Sequence, residues 1–172
     1  YGNFAWNIPS TLSGGSDYKI QIESVANPTV NDYSDADFGL TAPPSITITI
    51  PNGGQSWEIG GTHTITWTSV SLSFSHVDIL LYKNGIYYID IARAELDDGL
   101  YDWVMPTLPA DTDYQVYIQE YTNSAVYDLS DVNFSVPTPS ITITIPNGSQ
   151  SWEIGSTQTI YWNSVNFAGA AN

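Results

Sequence analysis

Isoleucine and threonine alternate through positions 46 to 50, with Ile46, Ile48 and Ile50 on one side and Thr47 and Thr49 on the other. The same period of two runs through Thr64, Ile65, Thr66, Trp67 and Thr68, and again through Val77, Ile79 and Leu81. That period belongs to a strand with one buried and one wet face, not to a helix. Lys83-Asn84-Gly85 interrupts the pattern with the Asn-Gly pair that two-residue hairpins favour, and 86–92 returns. Segments 100–104, 113–121 and 132–136 complete about seven predicted short strands, separated by Pro, Gly and Asp. The fold class is therefore all-β, a two-layer sandwich. Tyr114, opening a late strand in DYQVYI, resembles the tyrosine corner of immunoglobulin- and fibronectin-like sandwiches, and Tyr18 in DYKIQI stands in the matching place.

The pattern repeats. SITITIPNGGQSWEIGGTHTITW at 45–67 recurs as SITITIPNGSQSWEIGSTQTIYW at 140–162, an offset of 95 positions (140 − 45). FAWNIPSTLSGGSDYKIQI at 4–22 lines up with YDWVMPTLPADTDYQVYI at 101–118 after one gap. NDYSDADFGL at 31–40 lines up with YDLSDVNFSV at 127–136, offset by 96 (127 − 31). The expectation is tandem immunoglobulin/fibronectin-III-like β-sandwich repeats of about 95 residues. Residues 1–40 are the C-terminal part of one repeat, 45–136 a complete repeat, and 140–172 the N-terminal part of a further one. TAPP at 41–44 and PTP at 137–139 are short proline-bearing junctions, extended and stiff.

Composition narrows the function. With 42% hydrophobic and 13% aromatic residues the chain has material for packed cores, and without cysteine it has no disulfide and no thiolate ligand or nucleophile. Three basic against eighteen acidic residues give a net charge of −15, which repels phosphate backbones and excludes nucleic acid as a partner. No apolar run reaches the roughly 18–20 residues of a membrane helix, and YGNFAWNIPS lacks the features of a signal peptide, so this segment is not expected to insert into a membrane.

PNGGQSWEIGGTHTITWTS, then VDILLYKNG, YDWVMP, DYQVYI and SDVNF, together resemble the Ser-Thr-rich cell-surface domain. That family is best known from fungal cell-wall proteins of the glucan-synthesis and GPI-anchored type, and similar modules occur in tandem in secreted bacterial and archaeal proteins. The resemblance implies an extracellular, secreted or cell-surface immunoglobulin-like module, and offers no catalytic residues to carry over.

Candidate chemistry is sparse. Asp32, Asp35 and Asp37 cluster before the last strand of the first repeat, and Asp128 and Asp131 keep two of the three in the second; they read as solvated turn acids, with calcium, the one cofactor considered, as the alternative that oxygen-rich loops of this kind suit. Asp97, Asp98, Asp111 and Asp113 form a second acidic group of the same kind. Asn133-Phe-Ser and Asn147-Gly-Ser are glycosylation triplets, whereas Asn27-Pro-Thr is blocked by its proline. Tyr82, Tyr87 and Tyr88 flank the predicted hairpin and are candidates for contact with glycans or a neighbour. Trp67 is in phase with Ile65 and belongs to the core, while Trp57 lies in a loop-like stretch. Catalysis is not expected: His63 becomes Gln158 in the second copy, and neither a nucleophile elbow nor a zinc-helix motif is present.

Half a sandwich leaves apolar faces and open edges in water. The end pieces are completed either by further repeats of a longer array or by neighbouring subunits joined head-to-tail by strand complementation, and the expected function either way is structural, a repeat protein of an extracellular filament, sheath or surface layer. The alternative is a cell-surface adhesin or carbohydrate-binding stalk module.

Overall fold

The computed structural model describes residues 2–166, and every regular element among them is a strand. The chain divides into two units, Tyr1–Pro44 and Ser45–Asn172.

In the first unit β1 (Gly15–Tyr18) pairs with β4 (Phe38–Leu40), and β2 (Gln21–Glu23) with β3 (Asn31–Tyr33), all antiparallel. The Tyr18 hydroxyl donates to the Ser13 carbonyl at 2.8 Å, which pins the loop before β1. Ile22 and Val30 stand in solvent.

The second unit opens with the complete sandwich. Its strands are β5 (Ser45–Ile50), β6 (Thr62–Val70), β7 (His76–Lys83), β8 (Ile86–Leu96), β9 (Leu100–Val104), β10 (Asp111–Glu120), β11 (Asn123–Leu129) and β12 (Phe134–Val136). One sheet runs β5-β6-β9; the other runs β11-β10-β7-β8, with β12 also on β10. The predicted alternation decides what lies between them. Ile46, Ile48, Ile65, Trp67 and Trp103 come from the first sheet; Val77, Ile79, Leu81, Tyr114, Val116, Ile118 and Phe134 come from the second, and all are buried in one cluster. Asn84 and Gly85 take φ of 56° and 73°, the left-handed pair that a type I′ turn needs to join β7 to β8. The Tyr114 hydroxyl donates to the Pro109 carbonyl at 2.9 Å, five residues back, as Tyr18 does to Ser13.

Eight strands form where about seven are expected. The additional one is β11, in which only Val126 is buried, so no alternation marks it in the sequence. The last strand is Phe134–Val136, shorter than the predicted 132–136. Trp57, expected in a loop, is core all the same: its amide donates to the Ser135 carbonyl at 2.9 Å and its ring packs on Phe134.

The unit ends in a hairpin of β13 (Ser140–Ile145) and β14 (Tyr161–Val165). Ile141 lies opposite Ser164 and Ile143 opposite Trp162, the register of Ile46 opposite Ser69 and Ile48 opposite Trp67 shifted by 95 positions (141 − 46).

Candidate functional site

The aspartates that suggest calcium do other work in the complete sandwich. Asp128, on β11, accepts the Ile48 amide of β5 on Oδ2 at 2.7 Å. Asp131 and Asn52 form a reciprocal pair: the Asp131 amide donates to Asn52 Oδ1 at 2.6 Å, and Asn52 Nδ2 donates to Asp131 Oδ2 at 2.9 Å. Both staples run from the second sheet to the first. In the first unit Asp37 lies 3.7 Å from Lys19, and Asp32 lines a shallow groove with Ile22, Glu23 and Val30. Among the described residues no three of His, Asp and Glu come together as a metal site. In the sandwich Asp128 and Asp131 thus each engage one carboxylate oxygen in a separate cross-sheet hydrogen bond.

The two terminal pieces keep the pairings of the corresponding halves of the complete sandwich. Gly15 opposite Leu40 and Tyr18 opposite Phe38 reproduce Asp111 opposite Val136 and Tyr114 opposite Phe134. Gln21 opposite Tyr33 and Ile22 opposite Asp32 reproduce Tyr117 opposite Leu129 and Ile118 opposite Asp128. What differs is burial. Ile48 is 1% exposed and its counterpart Ile143 52%; Trp67 is 3% exposed and its counterpart Trp162 43%. Ile118 is sealed, whereas Ile22 is 73% exposed. Each piece thus leaves exposed side chains whose counterparts are sealed in the sandwich.

Asn166 joins the terminal hairpin to the complete sandwich. Asn166, one residue past β14, is buried with φ of 53°. Its Oδ1 accepts the Ile59 amide at 2.7 Å, its amide donates to Glu58 Oε2 at 3.2 Å, and its Nδ2 donates to the Pro137 carbonyl. The Trp57-Glu58-Ile59-Gly60 loop is its seat.

The three tyrosines singled out by sequence are not one patch. Tyr82 stacks on Tyr117 (centroids 5.0 Å apart), which stacks on Tyr127 (5.1 Å); Tyr87 meets Tyr82 edge-to-face. Four rings thus cross β8, β7, β10 and β11 obliquely, and Tyr117 and Tyr127 are members that sequence alone misses. Tyr88 instead approaches Tyr114 edge-on. Because the stacked rings spend their faces on one another, they present edges and hydroxyls outward. Beside the ladder, Arg93 bridges Asp78 and Asp90 at 2.7 and 2.8 Å, which holds the Asp90 carboxyl below its usual range; Asp90 in turn raises Tyr87, whose hydroxyl donates to it. Burial raises Tyr117.

The second acidic group is also structural. Asp97 accepts the Trp67 indole N–H at 2.7 Å and the Ser69 hydroxyl at 2.6 Å. Asp111 and Asp113 grip Lys83 at 2.6 and 2.7 Å; these bonds raise the lysine and lower Asp111. Asp98 accepts the Leu100 amide at 3.3 Å. His63 stacks on Trp57 (4.8 Å, 7° between planes), with Nε2 2.9 Å from the Glu58 carbonyl. Asn133 and Asn147 are both exposed, but Asn52, the counterpart of Asn147, has its amide engaged by Asp131.

A family model for the Kre9/KNH-like N-terminal Ig-like domain matches residues 50–136, half of the chain. No curated protein and no solved structure matches the chain. Among the described residues no helix is long and apolar enough to cross a membrane.

Proposed function

This chain belongs to the Kre9/KNH-like N-terminal Ig-like domain family, a cell-surface and cell-wall-related module, and from that premise we propose a structural role in an extracellular filament, sheath or surface layer. Its beads are immunoglobulin-like sandwiches, and the faces left open on the hairpin β13–β14 and on the piece β1–β4 are covered either by further repeats of the same chain or, head-to-tail, by the matching piece of a neighbouring copy. The role is mechanical continuity rather than turnover, consistent with His63 being held as a stacking partner of Trp57.

The single observation that carries this reading is that residues sealed in the complete sandwich are exposed on both terminal pieces, which otherwise keep its strand pairings. Re-burying Ile143, Trp162, Ile22 and their neighbours is worth roughly 1.5–3 kcal/mol each, enough for a handful of them to match the association cost of about 4–15 kcal/mol. The polar staples have counterparts too. Asp32 and Asp35 correspond to Asp128 and Asp131 at an offset of 96 (128 − 32), and the Ile143 amide and Asn147 correspond to the Ile48 amide and Asn52 at 95 (143 − 48). Asp32 and Asp35 lie on one piece, and the Ile143 amide and Asn147 on the other. In sedimentation velocity the chain forms concentration-dependent oligomers, and Ile143→Asp, which puts a charge into the re-formed core, keeps it monomeric. A monodisperse wild-type monomer at high concentration overturns joining between copies.

A further inference from the structure

The tyrosine ladder reaches the surface at both ends, at Tyr87 and at Tyr127, and the two ends are exposed alike, 50% and 55%. A carboxylate distinguishes them. The Tyr87 hydroxyl donates to Asp90 Oδ1 at 3.0 Å, whereas among the described residues no side chain accepts the hydroxyl of Tyr127, Tyr82 or Tyr117. Asp90 is itself held in place: Arg93 Nη2 donates to the same oxygen at 2.8 Å, and Nη1 of that guanidinium is anchored at 2.7 Å on the buried Asp78 of β7. The bond to Arg93 keeps Asp90 ionised at neutral pH, while the bond to Asp90 keeps the phenol protonated.

A phenol bonded to a fixed base has a chemistry that its neighbours lack. Removing one electron turns a phenol into a strong acid, so oxidation is easiest where the proton leaves in the same event. A bonded carboxylate takes that proton far better than water does, even with its basicity reduced by a guanidinium. Tyr82 and Tyr117 have no such acceptor, and rings stacked 5.0 and 5.1 Å apart can hand an electron vacancy along the ladder to the end that releases a proton. Tyr87 meets that ladder edge-to-face through Tyr82 and keeps half its surface in water, where a second phenol can reach it.

We propose that Tyr87 is a site of oxidative coupling through which two copies of the chain join as a dityrosine, with Asp90 as the proton acceptor. Each Tyr87 gives one electron to a one-electron oxidant of the peroxidase or photosensitiser class and its hydroxyl proton to Asp90. The two neutral phenoxyl radicals pair ortho carbon to ortho carbon, forming one C–C bond. The hydrogens on those two carbons then move as protons to the two oxygens, which restores both phenols. In sum two electrons reach the oxidant, and two protons pass through the Asp90 carboxylates to solvent. The link needs no exposed apolar face, so it stands apart from the head-to-tail reading.

The test compares tyrosines within one molecule. Wild-type chain and Asp90→Asn are illuminated with a ruthenium photosensitiser and persulfate, and the products are read by intact mass and by peptide fragmentation that separates Tyr87 from Tyr88. Asparagine keeps an oxygen for the hydroxyl and for Arg93 but cannot take the proton. In wild type the expected product is a dimer of two chain masses less two hydrogens, linked through Tyr87 several-fold more often than through Tyr127 or through Tyr121, which is 48% exposed. Tyr87→Phe is expected to lose most of that dimer. Asp90→Asn is expected to bring Tyr87 down to the level of Tyr127 while the Tyr121 yield, the reference for an intact fold, stays unchanged. Links spread evenly over the three tyrosines, or an Asp90→Asn chain that still couples preferentially through Tyr87, overturn the proposal.

Discussion

Asp97 is a turn acid by sequence and the partner of a buried indole in the structure. Its two oxygens take the Trp67 N–H and the Ser69 hydroxyl separately, so Asp97→Ala leaves both without a protein acceptor. The expected loss is about 1–3 kcal/mol, read as a lower urea midpoint by tryptophan fluorescence, and Asp97→Asn recovers part of it. Glu120 is a stronger case. It is sealed from solvent on a strand face otherwise made of Tyr114, Val116 and Ile118, where its Oε1 accepts the amides of Ser73 and Phe74 and the Ser73 hydroxyl. Glu120→Ala frees two backbone donors at once and is expected to cost roughly 2–4 kcal/mol by the same melts. Titration sets the limits of stability at both ends. Asp90 and Asp111 are lowered by Arg93 and Lys83, so the stability they contribute is present above the ordinary carboxyl value and lost as pH falls through their folded values. Tyr114 and Tyr117 are raised by burial, so theirs is present below the ordinary phenol value and lost as pH rises through the folded ones. Urea midpoints are therefore expected to be flat between about pH 4 and pH 10 and to fall on either side. Tyr117→Phe is expected to soften the alkaline fall, and a midpoint that drops steadily from neutral pH counts against the assignment.

The tyrosine ladder belongs to the strands rather than to any one ring. Tyr117 is its middle member, touching Tyr82 on one side and Tyr127 on the other, so Tyr117→Ala breaks two stacked pairs worth about 0.5–1.5 kcal/mol each beyond their buried area. Tyr87→Ala removes only the edge-on contact at the end and is expected to cost less in the same thermal melts. An equal effect of the two contradicts a ladder. The contrast also shows which elements the sequence displays. β5, β6 and β10 are legible because their buried residues fall at every second position, β7 because Val77, Ile79 and Leu81 keep that period although Asp78 and Leu80 are buried as well, and the Asn84-Gly85 turn because only left-handed pairs fit it. β11 is not, because it pairs along an edge with one buried side chain. The ladder is hidden for another reason: Tyr82 lies opposite Gln115 and Tyr117 opposite Leu80, so their contact is diagonal and exists only once the β7–β10 register is known. The aspartate staples are likewise invisible locally. Asp128 and Ile48 are 80 residues apart, and proximity in sequence to Asp131 suggests a shared ion where the fold gives each a separate partner.

At the scale of the whole molecule, the charge of −15 opposes the head-to-tail association proposed between copies. The two terms respond differently to salt. Repulsion between exposed acids reaches about 30 Å at 0.01 M ionic strength and about 8 Å at 0.15 M, whereas re-burial of Ile143 and Trp162 is hardly screened. Raising sodium chloride between those limits is therefore expected to shift the sedimentation of wild-type chain toward larger species and to leave Ile143→Asp monomeric. The same experiment bears on calcium. If divalent ions act only as diffuse screening charge on an acidic surface, calcium and magnesium at matched ionic strength give equal shifts. That is the outcome expected where Asp128 and Asp131 already spend their oxygens on the Ile48 amide and Asn52, and where Asp32 and Asp35 meet the equivalent donors of a second copy. A larger shift with calcium, abolished by Asp32→Asn with Asp35→Asn, indicates an ion held between copies. Loss of association in that double variant under either salt instead identifies the two carboxylates as acceptors for the incoming hairpin. Glycosylation gives an independent check on the same surface. A glycan on Asn147 occupies the amide that the Asp35 staple requires, so chain carrying that glycan is expected to stay monomeric at salt concentrations where the unmodified chain assembles.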